Sequence, residues 1–256
     1  MRQACLLLLA LSAFAQPNRR ILVVTSSSAD YIHGASGTLA RYIRQGWRVD
    51  VAQFGNDEKV APAGLTHALA RLANVQEGKA AAKLLGVTDY IMMDLKSGEL
   101  TQVSSTEMRN QLFALIRGIK PQMIFIPDPY LHYQSDHDIR KVGLMAEEAW
   151  GYSGGGTFAN EFTRMGLKPY GVPEVYYYSP ARPYRGGEGG EVPKAKFVFH
   201  DIADTLEQKI TASELLFTRN RVYPHVRDFL TELAATIGQK HRLNYAEEFN
   251  HVGPPR

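Results

Sequence analysis

The chain has 256 residues, 45% of them apolar and 21% charged, so it is long enough to bury about three-quarters of its unfolded surface in one large domain or two small ones. That composition excludes a disordered, collagen-like or disulfide-stapled chain. The 29 Lys+Arg against 26 Asp+Glu leave a net charge of +3 with no run of five like charges, so nothing tracks a nucleic-acid backbone and small-molecule chemistry is the expectation.

Met1-Arg2, the apolar run Cys5 to Phe14 and the small-x-small end Ala13-Phe14-Ala15 read as a secretory signal cleaved after Ala15, leaving a secreted or periplasmic domain over 16–256. The run is short for a bilayer span, and an uncleaved anchor or a buried first strand is the alternative. Cys5 is the only cysteine, so the mature chain has none and exports without disulfides.

Ile21-Leu22-Val23-Val24 is a continuous β-branched apolar run, the pattern of a strand covered on both faces. A polar loop from Thr25 to Asp30 follows, then Gly34, Gly37 and a helix over Thr38 to Gln45. Val49 to Phe54 is a second strand, and Leu65 to Leu85 a helix stopped by Gly86. Tyr90 to Met93, Ser105 to Gly118 and Met123 to Ile126 continue as strand, helix and strand. The alternation predicts an α/β fold, a Rossmann-like parallel sheet with helices on both faces.

Glycine-rich stretches at Gly151 to Gly171 and Gly186 to Gly190 read as long loops. Val175 to Tyr178 and Phe197 to Phe199 read as strands, and Thr205 to Thr218 and Pro224 to Lys240 as the last helices.

Ligands of such sheets gather beyond the carboxyl ends of the strands, which directs attention to the loops opening at Thr25 and Pro127. Gly34-Ala35-Ser36-Gly37 lacks dinucleotide-loop spacing. The segment Asp128 to Asp138 holds His132, Gln134, Asp136 and His137, so two imidazoles and three carboxylates follow one strand end. Metal ligation or acid/base work suits that set, against a plain polar loop with Asp138 as helix N-cap. If the two loops share a rim, Asp30 and His137 supply oxygen and nitrogen to a divalent ion, although zinc usually takes three or four protein ligands.

These segments resemble the LmbE-like or PIG-L superfamily, whose N-acetylglucosaminyl de-N-acetylases carry His-Pro-Asp-Asp-Glu after strand one and His-Pro-Asp-His after a later strand. Ser27-Ser28-Ala29-Asp30-Tyr31 falls on the first motif and Gln134-Ser135-Asp136-His137 on the second. Lys79 to Val87, Lys120-Pro121, Val198 to Ile202 with Lys209, and Tyr245 to Phe249 extend the likeness from Ile21 to about Phe249.

The resemblance implies zinc held at Ser27, Asp30 and His137, where the first position has lost its histidine. It puts Ala29 at the general-base position and Gln134 where a histidine assists the oxyanion and leaving group. His132 is the expected substitute for the third ligand, Asp136 the residue that orients a neighbour, and His33 is expected to point away from the rim. Tyr176 to Tyr178 and Tyr184 line a sugar pocket by stacking or simply pack, and His200 is an exposed strand-end residue.

The implied activity is a secreted metal-dependent hydrolase, a de-N-acetylase of an N-acetyl sugar or similar amide. The alternative is a non-catalytic homologue that keeps the cleft as a ligand-binding module. Ser28-Ala29-Asp30-Tyr31-Ile32 also resembles the first motif of the 4-oxalomesaconate hydratases, which opens a third, hydro-lyase reading.

Overall fold

The computed structural model describes residues 19–132, 134–157, 160–185 and 196–253. Residues 1–15, read above as an export signal, and the glycines at 186–190 lie outside the described residues. Among the described residues no helix is long and apolar enough to cross a membrane.

Strand β1 (Arg20–Thr25) is buried from Ile21 onward, as its apolar run requires. Ile21 and Val23 enter one core, and Leu22 and Val24 the core on the other face of the sheet. The chain alternates through α1 (Ser28–Arg44), β2 (Arg48–Gly55), α2 (His67–Leu85), β3 (Asp89–Leu95), α3 (Ser105–Ile119), β4 (Met123–Pro127) and α4 (His137–Tyr152). Gly86 ends α2 at φ 89°, a left-handed conformation that glycine adopts without strain.

Helix α1 begins ten residues earlier than the sequence suggests, because Ser27 is its N-cap and the glycines taken for loop sit inside it. They are there for close approach. A Cβ on Gly34 would stand 2.5 Å from the Tyr178 ring and 3.0 Å from the Ser179 carbonyl oxygen.

The remaining elements are α5 (Asn160–Arg164), β5 (Glu174–Tyr178), β6 (Lys196–Asp201), α6 (Leu206–Glu214), α7 (Phe217–Asn220), α8 (Val226–Lys240) and β7 (Ala246–Val252). The helix expected over Thr205 to Thr218 is therefore two, broken at Leu215 and Leu216.

The seven-stranded sheet has the order β3-β2-β1-β4-β5-β7-β6. Neighbours among β1 to β5 pair in parallel, the Rossmann-like arrangement expected, and β7 adds antiparallel pairing to both β5 and β6. The C-terminal part of the chain thus extends the sheet beyond β5. Successive strands depart to opposite sides of β1, so a topological switch lies between β1 and β4, where open α/β sheets form their binding crevices.

Candidate functional site

A cleft of about 760 Å³ opens at that switch. Its walls come from the carboxyl ends of β1 to β5 and from the connection between α7 and α8. Its lining combines the polar side chains of Ser26, Ser27, Ser97 and Gln134 with the aromatic rings of Tyr223 and Phe229.

Asp30 lies in the first turn of α1, buried at the cleft. The Ser26 hydroxyl donates to its Oδ2 at 2.5 Å and the Ser27 N–H at 3.0 Å. Burial pushes its carboxyl up to about 6, against the pull of those two bonds and of the Arg219 charge. Ala29, at the general-base position, is fully buried in the core. The Ser27 Oγ beside it is buried.

Asp57 was not singled out by the sequence. It follows β2 with φ 56°, and its Oδ2 accepts from the Ser28 N–H and from Gln53 Nε2, each at 3.0 Å. Its own N–H donates to Ser97 Oγ at 2.6 Å and its carbonyl accepts from Asn74 Nδ2 at 2.8 Å, so both sides of the strained residue are held. Burial raises this carboxyl too. Asp30 and Asp57 between them satisfy backbone N–H groups that the start of α1 leaves open.

Asp136, not Asp138, is the N-cap of α4: its Oδ1 accepts from the N–H of Asp138 at 2.9 Å and of Ile139 at 3.4 Å. The buried Asp138 instead accepts from the N–H groups of Gly98 and Leu100, pinning α4 to the loop after β3, and burial raises its carboxyl. Gln134 lines the cleft while its Oε1 accepts from the Asp136 N–H at 3.2 Å.

His137 is exposed at the first turn of α4, on a shelf of about 360 Å³ that adjoins the cleft and shares Gly98, Ser135, Asp136 and Asp138 with it. His132 is exposed and stands outside the cleft, its carbonyl accepting from Arg182 Nη2 at 2.8 Å.

His33, expected to point away, lines the same cleft as Asp30, because three residues on a helix bring a side chain back to one face. Its Nε2 is 3.0 Å from Ser213 Oγ, and burial with the nearby Arg219 and Lys209 charges keeps the ring neutral at pH 7.

The tyrosines pack. Tyr176, Tyr177, Tyr178 and Tyr184 are buried, with Tyr177 donating to Glu147 Oε1 at 2.7 Å and Tyr184 to Asp128 Oδ2 at 3.1 Å. His200 is half-buried rather than exposed, its ring meeting those of Tyr42, Tyr176 and Phe249.

These residues do not fit a resident zinc ion. A hydroxyl stands at one of the three implied positions, which leaves two protein ligands where zinc takes three or four, and Asp30 Oδ2 already accepts two hydrogen bonds. Among the described residues no three His, Cys, Asp or Glu side chains gather as a metal-binding group.

Asp57 sits at a strand's carboxyl end, so the rule that flagged Thr25 and Pro127 would have found it if applied to β2. Arg219 carries no such signal. It reaches the cleft from the far end of the chain.

The family model for PIG-L, the GlcNAc-PI de-N-acetylases, matches residues 22–149, half of the chain. Over 243 residues the chain is 26% identical to a diacetylchitobiose deacetylase of Thermococcus kodakarensis, spanning 91% of this chain and 83% of that protein. A 4-oxalmesaconate hydratase of Pseudomonas putida is 24% identical over 259 residues, 93% of this chain and 91% of the other.

Among solved structures, N,N'-diacetylchitobiose deacetylase from Pyrococcus horikoshii superimposes with a TM-score of 0.79 at 24% identity, covering 91% of this chain and 84% of that one. The matched half contains β1 to β4 and both motif loops, the part of the fold that builds the switch-point cleft. The chain belongs to the PIG-L family.

Proposed function

We propose that this chain uses its cleft to bind a small N-acetyl sugar or a similar amide without hydrolysing it by metal-assisted chemistry. The observation that carries the reading is the first motif itself. Alanine fills the base position and is buried in the core, while the implied metal positions retain only two ligand side chains, Asp30 and His137, with a hydroxyl at the third. Even a water activated at Asp30 would find no acceptor at Ala29 for its proton.

The sugar class rests on the cleft's lining, which combines hydroxyls and an amide with aromatic rings, and on the substrate in the deacetylase relative's name. Export through residues 1–15 belongs to the same proposal and rests on their charged start, apolar run and small-residue end.

The test incubates the purified chain with N,N'-diacetylchitobiose and zinc, follows acetate release, and titrates the sugar by calorimetry. Binding without acetate is the expected outcome. Zinc-dependent acetate release would overturn the reading.

A second reading, hydration of an unsaturated acid, is favoured by Ser28-Ala29-Asp30-Tyr31 together with the hydratase relative over 93% of the chain. Loss of the absorbance of an unsaturated dicarboxylic acid in the same preparation would establish it.

A further inference from the structure

The charges lining the cleft are unequally engaged. All four carboxylates are committed to hydrogen-bond donors of the chain: Asp30 to Ser26 and Ser27, Asp57 to Ser28 and Gln53, Asp136 to the start of α4, and Asp138 to Gly98 and Leu100. The cation in the same cleft has no such bond. Arg219 is half-buried and lines the cleft, its charge acts through space on Asp30, His33 and Asp57, and its guanidinium makes no hydrogen bond or ion pair with any described residue. Its guanidinium carbon lies 4.9 Å from the centre of the Tyr223 ring, a stacking contact that leaves the N–H edge of the fork available.

The backbone that carries Arg219 is fixed on both sides. Thr218 donates its N–H and its hydroxyl to the Glu77 carboxylate on α2 at 2.9 and 2.8 Å. Asn220 donates to the carbonyls of Ser213 at 2.9 Å and Glu214 at 3.3 Å. A guanidinium held in place with its donors unspent has lost much of its conformational freedom before a ligand arrives, which is the condition for tight oxyanion capture. Lys59, exposed on the same cleft, adds a second positive charge.

We infer that the ligand carries an oxyanion, a carboxylate or a phosphate, that Arg219 receives as a bidentate partner while the rest of the molecule occupies the cleft between α1 and Tyr223. The inference rests on the reading of the cleft as a ligand site and narrows it from a neutral sugar to an acidic one.

The experiment is calorimetric titration at fixed ionic strength with N-acetylglucosamine, N-acetylglucosamine 6-phosphate, N-acetylmuramic acid and citrate. It uses the wild-type chain and the variants Arg219→Gln and Arg219→Lys, each checked for native circular dichroism. The wild type is expected to hold at least one of the two acidic sugars about tenfold or more tighter than the neutral one, the gain of a charged hydrogen-bonded pair. Arg219→Gln should erase that preference, weakening the acidic sugars about tenfold more than the neutral one, and Arg219→Lys should keep part of it. The carboxylate and phosphate arms then tell which oxyanion is preferred.

Equal wild-type affinity for neutral and acidic sugars would overturn the inference and leave the sugar-binding reading standing, as would an equal loss for all sugars in Arg219→Gln. Citrate binding that depends on Arg219, with no sugar bound, would support the oxyanion subsite and overturn the sugar reading. Binding of none of the four overturns the inference. If Arg219→Gln does not fold, the comparison of acidic with neutral sugar in the wild type still decides it.

Discussion

Asp30 concentrates the chemistry of the site in one side chain. Its carboxyl titrates at about 6 in the folded chain against 3.8 in its ordinary state, with burial as the main cause. The folded protein therefore binds that proton more tightly than the unfolded chain does. The stabilising contribution is complete below about pH 3.8 and is lost as the pH rises through 6. By pH 7 the buried charge costs on the order of 3 kcal/mol. An amide oxygen keeps an acceptor for Ser26 and Ser27 and removes the charge, so Asp30→Asn should be more stable than wild type at pH 7 by about 1–3 kcal/mol. The gain should shrink toward pH 4, as urea melts at pH 4.5 and 7 would show. A variant less stable at pH 7 would mean that the hydrogen bonds to the carboxylate outweigh its desolvation. In sequence, Asp30 was legible because it follows a strand of apolar residues, but its partners Ser26 and Ser27 looked like any polar turn.

Three elements that are far apart in the chain meet at one buried ion pair. Lys209 on α6 and Glu247 on β7 are 2.7 Å apart and almost wholly inaccessible, and both reach into the middle of α1. Lys209 Nζ donates to the His33 carbonyl at 2.6 Å, while Glu247 accepts from the N–H groups of Gly37 and Thr38 at 3.0 and 2.8 Å. The pair thus holds the helix that presents Asp30 and His33 to the cleft. Replacing Lys209 by Met leaves a buried carboxylate without its counter-charge, and Lys209→Met should lose about 3–5 kcal/mol in a denaturant melt. A loss below about 1 kcal/mol would show that the N–H donors of α1 alone satisfy Glu247. This arrangement explains what the sequence hid. Glu247, Glu248 and Asn250 make β7 look unlike a strand, because its buried polar groups have partners about 40 and 210 residues away. Gly34 and Gly37 look like loop residues because the demand on them, contact with Tyr178 and Ile202, is tertiary. Strands β1, β2 and β4 were legible because their apolar runs report burial on both faces directly.

At the scale of the molecule, strand order decides where chemistry can occur. The switch between β1 and β4 brings Asp30, Asp57, Asp138 and Arg219 to one cleft although they span some 190 residues of sequence. The motif positions after β1 and β4 were readable from their place after strands, and their departures at Ser27, Ala29 and Gln134 were readable letter by letter. Which residues join them at the cleft was not, since the arrival of His33 and Arg219 follows from the early start of α1 and from α7. The proposed binding role requires that the family's metal position be incomplete in this chain. Its most direct test is a zinc titration of the purified chain by calorimetry, repeated with His137→Ala and Ser27→His. The account predicts no stoichiometric zinc binding at micromolar concentration in the wild type, no change in His137→Ala, and tighter binding in Ser27→His. One zinc per wild-type chain, abolished by His137→Ala, would contradict it.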